Sequence, residues 1–408
     1  MKQTIAIIGG GAAGFFAAIA VAEKLANSEV YLFEKAASVL GKVRVSGGGR
    51  CNVTNTCTDP KLLVLNYPRG AKALLGPFTQ FGPAETVKWF ESRGVKIKAE
   101  RDGRMFPESN TSETIVECLM QSAVAAGVKI KTNCGVETFT PVENGSKGWD
   151  LTFTNDDAIH FDKVIIATGS GSQIWKQLIA LGIEIISPIP SLFTFNIKDK
   201  RIEDLLGLSI VSTKIKIPGT KLVASGPILI THWGMSGPGI LRLSAWGARI
   251  LAEMNYQFKL QINFLPDTHE DKVFEELMFE KEQSPKKMVG NSVLYETIPK
   301  RFWQRLVEIG GMENKIWAEA PKQSIRKLAI ELTAGLYEVS GKSTNKEEFV
   351  TCGGINLDEV DFKTMQLKKY KNLYAAGELL DIDAITGGFN FQNAWTTGWL
   401  AAMGIVNL

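Results

Sequence analysis

Three glycines near the N-terminus carry the clearest chemical signal in the sequence. Gly9, Gly11 and Gly14 follow the apolar run of residues 5–8 with the spacing G-x-G-x-x-G. In this pattern the first glycine makes a tight turn, the second lets backbone approach a pyrophosphate, and the third lets a helix pack closely on a strand. The N-terminus of that helix offers unpaired N–H groups and a partial positive charge to phosphate oxygens. The chemistry indicated is dinucleotide binding.

A carboxylate at the end of the next apolar run supports this interpretation. Glu34 closes residues 30–33 and lies 20 residues beyond Gly14, where an acid accepts hydrogen bonds from ribose hydroxyls. An acid at this position selects a free 2′-OH, so FAD or NAD is predicted rather than NADP. The alternative is a structural βαβ turn without a ligand, since glycine-rich turns are common.

A second candidate loop has the sequence SGGGRCN, residues 46–52. Three successive glycines allow the backbone to lie directly on a ligand. Arg50 is a candidate phosphate partner, and Asn52 is suited to bonding a ring edge or the loop itself. Cys51 is interpreted either as a redox thiol or, with more weight, as a thiol packed near the ligand. The alternative for the whole segment is a flexible surface turn.

The C-terminal part of the chain repeats the pattern of apolar strand and glycine turn. Residues 373–376 are apolar and end in Gly377-Glu378, and residues 386–393 form a glycine turn before a helix predicted over 394–403. A helix N-terminus preceded by two glycines is suited to binding an anion or a dipole. Residues 163–169 also form a buried strand with a turn, but position 174 is Ile, so no second complete dinucleotide motif is predicted.

One histidine has a sequence context that suggests chemistry. His232 lies in a loop rich in Gly and Pro, between an apolar strand and a helix predicted over 241–254. It is the candidate acid, base or substrate hydrogen-bonding group. The alternative is a histidine that only fixes its own loop, and Trp233 and Met235 beside it are assigned to packing.

Length, net charge and cysteine content restrict the classes of protein to which the chain could belong. A chain of 408 residues predicts two or three domains. The net charge of +3 predicts neither nucleic-acid nor membrane binding. Five scattered cysteines without C-x-x-C argue against a disulfide scaffold, a zinc site or a redox dithiol, and predict a reducing cytoplasm. The apolar stretch 12–22 is too short to span a bilayer, so no transmembrane segment is predicted.

The secondary-structure elements that must position these residues are of two kinds. Buried apolar runs alternate with helices in the first part of the chain, including helices over 84–93 and 111–126, the latter expected to be capped by Ser109 or Thr111. Residues 149–153 and 158–161 predict a hairpin, and residues 349–355 a strand and a turn. After residue 190 the runs 193–197, 213–217 and 257–264 alternate polar and apolar residues, which indicates half-exposed antiparallel strands.

These motifs resemble those of the bacterial FAD-dependent flavoprotein family that includes aminoacetone oxidase and a bile-acid enone reductase. The resemblance covers essentially the whole chain. It is carried by GGGAAG with Glu34, SGGGRCN at 46–52, ATG at 167–169, THWGMSGP at 231–238, AGE at 376–378 and TGGFNFQ at 386–392.

The resemblance implies an α/β fold with a Rossmann-like FAD-binding domain of the glutathione-reductase type. Both chain ends, residues 1–190 and 331–408, would build this domain. A β-barrel-like domain, residues 191–265, and a helical insert, residues 266–330, would interrupt it. FAD is the implied cofactor, and the substrate is expected between the FAD domain and the block 193–254.

The resemblance also implies where FAD contacts the chain. The pyrophosphate would be held by Gly9, Gly11, Ala13 and Gly14. Glu34 would bind the adenosine ribose, Val136 the adenine through its backbone, and Glu378 the ribitol. Residues around 388–392 would reach the pyrimidine end of the flavin, where the helix dipole stabilises the charge of reduced flavin. The full predicted cofactor set is Gly9, Gly11, Ala12, Ala13, Gly14, Glu34, Lys35, Lys42, Ser46, Gly47, Gly48, Arg50, Cys51, Asn52, Val136, Ala167, Thr168, Gly169, Gly377, Glu378, Gly388, Phe389, Asn390 and Gln392.

The predicted function is that of an FAD-dependent oxidoreductase acting on a small molecule, by amine or ketone oxidation or by enone reduction. NAD(P)H or O2 is the expected redox partner, and no oligomeric state is predicted. One departure concerns Ala167-Thr168-Gly169-Ser170-Gly171, because many members of the family continue here into a longer glycine-rich segment. The alternatives are an RNA-modifying flavoprotein, against which the near-neutral charge weighs, and a flavin-binding sensor or scaffold without enzymatic activity.

Overall fold

The computed structural model describes residues 2–155, 157–343 and 350–407. Asp156 in the predicted hairpin turn and Phe349 in a predicted strand lie outside the described residues. The chain forms two compact units, Met1–Ile189 with Lys346–Leu408, and Pro190–Asn345. The first unit therefore takes its residues from both ends of the chain.

A parallel sheet forms the centre of the first unit. Its inner strands are apolar and largely buried, as expected for strands covered on both faces. Gln3–Ile8 lies in the middle, between Ser28–Phe33 and Lys163–Ile166, with parallel pairing to both. The order across the parallel strands is Lys129–Lys131, Ser28–Phe33, Gln3–Ile8, Lys163–Ile166 and Leu373–Ala375. Two short antiparallel strands, Gln366–Leu367 and Val360–Asp361, extend the sheet beyond Leu373–Ala375.

Two helices from opposite ends of the chain pack against each other in this unit. Ala12–Lys24 buries every residue from Ala13 to Val21, and Phe389–Val406 is also largely buried. An added Cβ on Gly398 would lie 2.6 Å from the Ala13 carbonyl oxygen, so the glycine permits close packing. The last helix was predicted to begin at residue 394 but begins at Phe389. The first turn of this helix mixes polar and apolar residues without helical periodicity, so the sequence pattern does not indicate where the helix begins.

Three smaller sheets complete the strands of the first unit. The predicted hairpin Trp149–Phe153 with Ala158–Phe161 is confirmed and is joined by Val136–Pro141. A second antiparallel sheet orders Thr54–Asn55, Arg104–Pro107 and Ile97–Ala99. Ile185–Pro190 pairs with Thr351–Ile355.

The predicted helices of this unit are present and differ from the predictions at their ends, and the structure adds helices that were not predicted. The helix predicted over 111–126 is Glu113–Ala125, and its N-cap is Ser112 rather than Ser109 or Thr111. The Ser112 hydroxyl donates to the Arg44 carbonyl oxygen at 2.7 Å instead of capping the helix. The remaining α-helices are Gly41–Gly49, Pro60–Leu63, Ala71–Gln80, Pro83–Glu91 and Ser172–Ala180, and the short 3-10 turns are Val64–Asn66, Glu143–Gly145, Leu357–Glu359 and Gly377–Leu379.

The second unit contains two antiparallel sheets, as the alternation of its sequence predicts. The five-stranded sheet orders Ser209–Ile210, Ile228–Thr231, Gly234–Ser236, Thr194–Asn196 and Lys342–Ser343. The four-stranded sheet orders Val223–Ser225, Lys214–Lys216, Gln257–Asn263 and Gly335–Ser340. Its helices are Pro238–Glu253, Glu270–Gln283, Lys300–Ile309 and Lys322–Ala334, with 3-10 turns Val289–Asn291 and Trp317–Glu319.

One hydrophobic cluster runs through the strands and the helices of the second unit, from Phe193 to Val339. The boundary predicted between residues 330 and 331 falls inside the helix Lys322–Ala334. The strand that follows, Gly335–Ser340, pairs along its whole length with Gln257–Asn263, which ties it to this unit. Charged residues on the outer face of the helix concealed this continuity in the sequence.

Among the described residues, the structure contains no helix with the length and apolar character needed to cross a membrane.

Candidate functional site

The first glycine turn has the geometry that each of its positions requires. Gly9 has φ +113°, and a Cβ there would lie 2.5 Å from the Ala167 carbonyl oxygen. A Cβ on Gly14 would lie 1.9 Å from the Gly9 carbonyl oxygen. Gly11 differs from both, because no described atom lies within 4 Å of its added Cβ. The turn therefore needs two glycines for packing and leaves space beside the third, where Ala12 and Ala13 begin the helix.

Glu34 is bound to the same turn through its carboxylate. Its Oε2 accepts from the Gly10 N–H at 2.9 Å and its Oε1 accepts from the Ala36 N–H at 2.8 Å. Each oxygen keeps a lone pair for a further donor. Lys35 beside it is exposed, and Val136 is buried at the start of its strand.

The segment after Lys163–Ile166 lies directly against the glycine turn. Ala167 donates its N–H to the Ile8 carbonyl oxygen at 2.8 Å, and Gly169 has φ +63°. The Thr168 hydroxyl is buried and has no hydrogen-bond partner among the described residues. A buried polar atom without a partner is costly, and a hydrogen bond to a ligand atom would remove that cost.

Glu378 lies beside this segment. Its Oε1 accepts from the Thr351 N–H at 3.0 Å, and its Oε2 forms an ion pair with Lys42. A Cβ on Gly169 would lie 3.7 Å from the same Oε2. Gly377 before it has φ +73° and faces Ala13, so this strand end also reaches the first helix.

The loop 46–52 turns through a run of left-handed residues. The loop overlaps the second half of the segment Gly41–Gly49, whose first residues are helical. In the overlap, Ser46 is extended, and Gly47 and Gly48 have φ values of +57° and +68°. A Cβ on Gly48 or Gly49 would meet no described atom within 4 Å. The backbone of this loop is therefore accessible, as predicted for a loop that lies on a ligand.

Cys51 is fully buried at the end of this loop and has φ +58°. Burial raises the pKa of its thiol from about 9 to about 12, while a hydrogen bond with Ser46 acts in the opposite direction. The thiolate is the reactive form of cysteine, so this group is protonated near neutral pH. The geometry favours the packed thiol over the redox thiol.

Arg50 points its guanidinium at protein groups. Its Nη1 donates to Glu100 Oε1 at 2.7 Å, and its Cζ lies 4.0 Å from the centre of the Phe106 ring. Neither Glu100 nor Phe106 was identified as a site residue from the sequence, because neither belongs to a motif with a recognisable spacing.

Asn52 joins this loop to the start of the last helix. In the amide orientation that satisfies its neighbours, its side chain donates to Thr54 and Met105 carbonyl oxygens and accepts from the Gly388 N–H at 2.8 Å. A Cβ on Gly388 would lie 2.3 Å from the Thr54 carbonyl oxygen. The two glycine loops predicted to bind the flavin are therefore in direct contact.

The remaining predicted residues of the last helix have partners within the protein. The Asn390 amide accepts from the Ala384 N–H and donates to its carbonyl oxygen, at 2.9 and 3.0 Å. Gln392 is fully buried and accepts from the hydroxyls of Thr54 and Thr86. Phe389 is buried. These contacts show that the side chains hold the loop in place. That the backbone N–H groups of this region contact the flavin stays a prediction.

His232 belongs to the second unit, whereas the other predicted residues belong to the first. Ile228–Thr231 and Gly234–Ser236 form an antiparallel hairpin, and His232 and Trp233 are its two turn residues, both exposed. Gly234 allows this turn, because a Cβ there would lie 2.3 Å from the Phe195 carbonyl oxygen. The catalytic role of His232 stays a prediction.

The residues of the first unit fit a bound dinucleotide. Some glycines of the predicted site pack against protein atoms, namely Gly9, Gly14 and Gly388. Others have open space where a side chain would be, namely Gly11, Gly48 and Gly49. The buried Thr168 hydroxyl lies beside the first turn without a partner. A parallel sheet with a glycine turn at the carboxyl end of its first strand is the architecture of the Rossmann-type dinucleotide-binding class.

Comparison with known proteins gives the family. The chain belongs to the family described as HI0933-like protein Rossmann domain, whose profile matches residues 3–404. A ribosomal RNA dihydrouridine synthase of Haemophilus influenzae is 29% identical over 412 residues, with 98% of this chain and 97% of that protein covered. A 3-dehydro-bile acid delta(4,6)-reductase of Clostridium scindens is 28% identical over 419 residues, with 97% of each covered.

Solved structures share the fold at low identity. The 3-ketosteroid delta1-dehydrogenase of Sterolibacterium denitrificans superposes with a TM-score of 0.53 and 11% identity, and both chains are covered completely. The 3-ketosteroid-delta4-(5alpha)-dehydrogenase of Rhodococcus jostii superposes with a TM-score of 0.51 and 14% identity, covering 98% of this chain and 97% of that one.

Proposed function

We propose that this chain binds FAD in its first unit and reduces a carbon–carbon double bond conjugated to a carbonyl group. The observation that carries FAD binding is the contrast between packed and open glycines around the first turn and the loop 46–52. Gly11 carries the most weight, because its φ of −90° suits any residue and no described atom lies within 4 Å of an added Cβ, so neither backbone conformation nor packing requires glycine there.

The names of the curated relatives support the reaction class. A delta(4,6)-reductase of a 3-dehydro-bile acid acts on double bonds conjugated to the 3-keto group, and a dihydrouridine synthase saturates a double bond conjugated to a ring carbonyl. Both are additions of hydride and proton to the same kind of acceptor. Bound FAD supplies the hydride, and the protein orients the substrate and tunes the ring.

Each predicted residue then has a proposed role. Gly11 leaves space for the pyrophosphate beside the helix N-terminus. Glu34 keeps free lone pairs for the adenosine ribose, and Glu378 for the ribitol. The loop 46–52 and the backbone at Gly388 would lie against the flavin, with the dipole of the last helix directed at its pyrimidine end.

The spectrum of the purified protein tests the cofactor. We expect yellow protein with a flavin absorption band and with FAD, rather than FMN, released on denaturation. Well-folded, colourless protein that takes up no FAD would contradict the proposal.

The reaction is tested on protein whose flavin has been photoreduced under anaerobic conditions with EDTA as the sacrificial electron donor, so that the natural donor need not be known. Mixing with a conjugated enone should reoxidise the flavin faster than mixing with the corresponding saturated ketone. Reoxidation by O2 alone, or reduction of the oxidised flavin by amines, would favour an oxidase. NADH and NADPH are then compared as donors.

A second candidate substrate is uridine within ribosomal RNA. Two of the curated relatives, from Haemophilus influenzae and Escherichia coli, carry the name ribosomal RNA dihydrouridine synthase. The small-molecule substrate and the RNA substrate are distinguished by incubating reduced protein with transcribed ribosomal RNA and measuring dihydrouridine by mass spectrometry. Formation of dihydrouridine without turnover of small enones would establish the RNA reaction.

A further inference from the structure

One face of a hairpin in the first unit carries two cations, Lys98 and Arg104, to which the proposed function gives no role. Ile97–Ala99 and Arg104–Pro107 pair in antiparallel fashion, with Lys98 directly opposite Phe106. One step further along, the Glu100 N–H donates to the Arg104 carbonyl oxygen. Residues opposite each other in such a pair share a face. Lys98, Phe106, Arg104 and Glu100 therefore line one side of the hairpin.

Arg50 completes this face from the glycine loop. Its guanidinium lies 4.0 Å from the centre of the Phe106 ring, and that of Arg104 lies 5.4 Å from the same ring. The two arginines share one carboxylate, because Arg50 Nη1 and Arg104 Nη2 donate to different oxygens of Glu100 at 2.7 and 2.9 Å. Stacking on an aromatic ring holds a guanidinium in place and leaves its edge for hydrogen bonds.

The face has more cations and donors than its own acids satisfy. Arg104 also pairs with Asp102, so three cations stand against two carboxylates. Lys98 is half-buried and forms no ion pair within the described ranges. A guanidinium carries five N–H donors, and the ion pair with Glu100 uses one of those of Arg50.

This face adjoins the loop assigned to the flavin. A Cβ on Gly47 would lie 3.2 Å from Phe106 Cε1, so the loop backbone rests on the same ring as the arginines. The Val53 N–H donates to the Met105 carbonyl oxygen at 2.9 Å, which fixes the hairpin to the end of the loop. An anion held by the cations would therefore lie next to the loop at 46–52.

The geometry points to a binding site for an anionic oxygen group, a phosphate or a carboxylate, carried by the substrate. Arg50, Lys98 and Arg104 around Phe106 form this anion face. Planar guanidinium groups bind both kinds of anion through paired hydrogen bonds. The link to the substrate rests on the proposed function, whereas binding of an anion to this face does not.

Direct binding is tested first on the FAD-loaded protein. Inorganic phosphate and acetate are titrated by calorimetry and by the change in flavin absorption. Arg104→Gln and Lys98→Gln should each weaken binding about tenfold, the factor that corresponds to about 1.4 kcal/mol. Glu100→Gln should strengthen it, because it removes the carboxylate that competes for both arginines.

Arg93 provides the matched control. It stacks on Trp89 at 3.8 Å and pairs with Glu23, so it has the same kinds of partner away from the anion face. Arg93→Gln should leave anion binding unchanged. Equal affinities in all four variants and the unaltered protein, or no measurable binding of either anion, would overturn the proposal.

Matched substrates connect the site to the reaction. Uridine is compared with uridine 5′-monophosphate, and a neutral enone with its carboxylated analogue, as oxidants of the photoreduced flavin. Arg104→Gln should raise the half-saturating concentration of the charged member of a pair and leave the neutral member and the limiting rate unchanged. If Arg104→Gln affects only the uridine pair, the natural group is a phosphate. If it affects only the enone pair, the natural group is a carboxylate.

Failure of this proposal is distinct from failure of the proposed function. Loss of FAD from Arg104→Gln would assign the face to the cofactor and overturn the substrate site, while leaving the flavoprotein proposal intact. If the protein binds no FAD at all, the calorimetric comparison of Arg104→Gln with Arg93→Gln still decides whether the anion face exists.

Discussion

Glycines of the same motif have different physical roles in this protein. Gly14 is required by packing, since a Cβ would lie 1.9 Å from the Gly9 carbonyl oxygen. Gly11 has an ordinary φ of −90° and an open space where its side chain would be. The fold therefore accepts a side chain at Gly11, and only a ligand would exclude it.

This difference predicts opposite outcomes for two alanine substitutions. Gly11→Ala should lower the melting temperature of the FAD-free protein only slightly, since alanine is a poorer helix N-cap than glycine, and should weaken FAD binding at least tenfold, because the methyl group occupies ligand space. Gly14→Ala should lower the melting temperature, since overpacking costs about 1–3 kcal/mol or more. Calorimetric melting and fluorescence titration with FAD measure the two effects. Unaltered FAD affinity in Gly11→Ala would remove the pyrophosphate from this turn.

Cys51 predicts a specific dependence of stability on pH. Burial raises the pKa of its thiol to about 12 in the folded protein, from about 9. Above pH 9 the unfolded chain therefore loses a proton that the folded chain keeps, and the free energy of unfolding falls by about 1.4 kcal/mol per pH unit. Below pH 9 the thiol is protonated in both states and contributes no slope.

The measurement is urea unfolding between pH 7 and pH 10.5 for the unaltered protein and for Cys51→Ala. The difference between the two free energies should be constant up to about pH 8.5 and then shrink as the pH rises. A constant difference throughout would show that the thiol is accessible to water. Slow alkylation of Cys51 at pH 8 in the folded state is the accompanying expectation.

At the scale of elements, a short segment holds the loop that precedes the last helix. Ile385 donates its N–H to the Asn66 carbonyl oxygen at 3.0 Å, and the Tyr67 hydroxyl donates to the Phe389 carbonyl oxygen at 2.6 Å. Arg69 forms a two-bond ion pair with Asp383, which is completely buried. These contacts come from residues 66–69 and set the position of Gly388 relative to the loop 46–52.

Breaking the buried ion pair should therefore affect both stability and the flavin. Asp383→Asn removes the fully buried charge that pairs with the Arg69 guanidinium and should cost about 3–5 kcal/mol of folding free energy. We also expect a shift in the flavin absorption band, because Gly388 would move. Differential scanning calorimetry and absorption spectra measure the two.

The control is an exposed pair of the same unit. Lys147 and Glu143 form an ion pair across a tight turn, four residues apart, with side chains 67% and 58% exposed. Glu143→Gln should change stability by less than about 0.5 kcal/mol and leave the spectrum unaltered. An Asp383→Asn variant as stable as this control would mean that the ion pair does not hold the loop.

At the scale of the whole molecule, the first unit closes only when both chain ends are present. The central strand Gln3–Ile8 pairs with Lys163–Ile166, which pairs with Leu373–Ala375. The candidate FAD contacts come from residues 9–52, 136–169 and 377–392, so they are brought together by the sheet and not by sequence proximity.

Binding of FAD should therefore protect distant segments together. At a concentration 100 times its dissociation constant, FAD should add about 2.7 kcal/mol to the stability of the unit that binds it. Hydrogen exchange followed by mass spectrometry should show increased protection in residues 9–14, 46–52 and 384–392. Protection in the first segment without the last would contradict a site built from both chain ends, and the hairpin at residues 228–236 is the internal comparison.

The sequence was sufficient for the repeating parts of the fold because they depend on short-range patterns. Apolar runs gave the strands of the parallel sheet, and alternation gave the antiparallel strands around residues 194–196, 214–216 and 257–263. Helix ends were less predictable. Ser112 replaces the expected caps, and the last helix begins at Phe389, because tertiary contacts of single residues decide where a helix starts.

The sequence by itself determined that a glycine turn, a following helix and an acid at position 34 form one unit, because these residues are close in the chain and their spacing reflects local geometry. Only the tertiary structure decided which glycines pack and which remain open, that Arg50 meets Glu100 and Phe106, and that Asp383 meets Arg69. These contacts join residues 50 to more than 300 positions apart. No local periodicity encodes such distances, since the packing of the whole unit determines them.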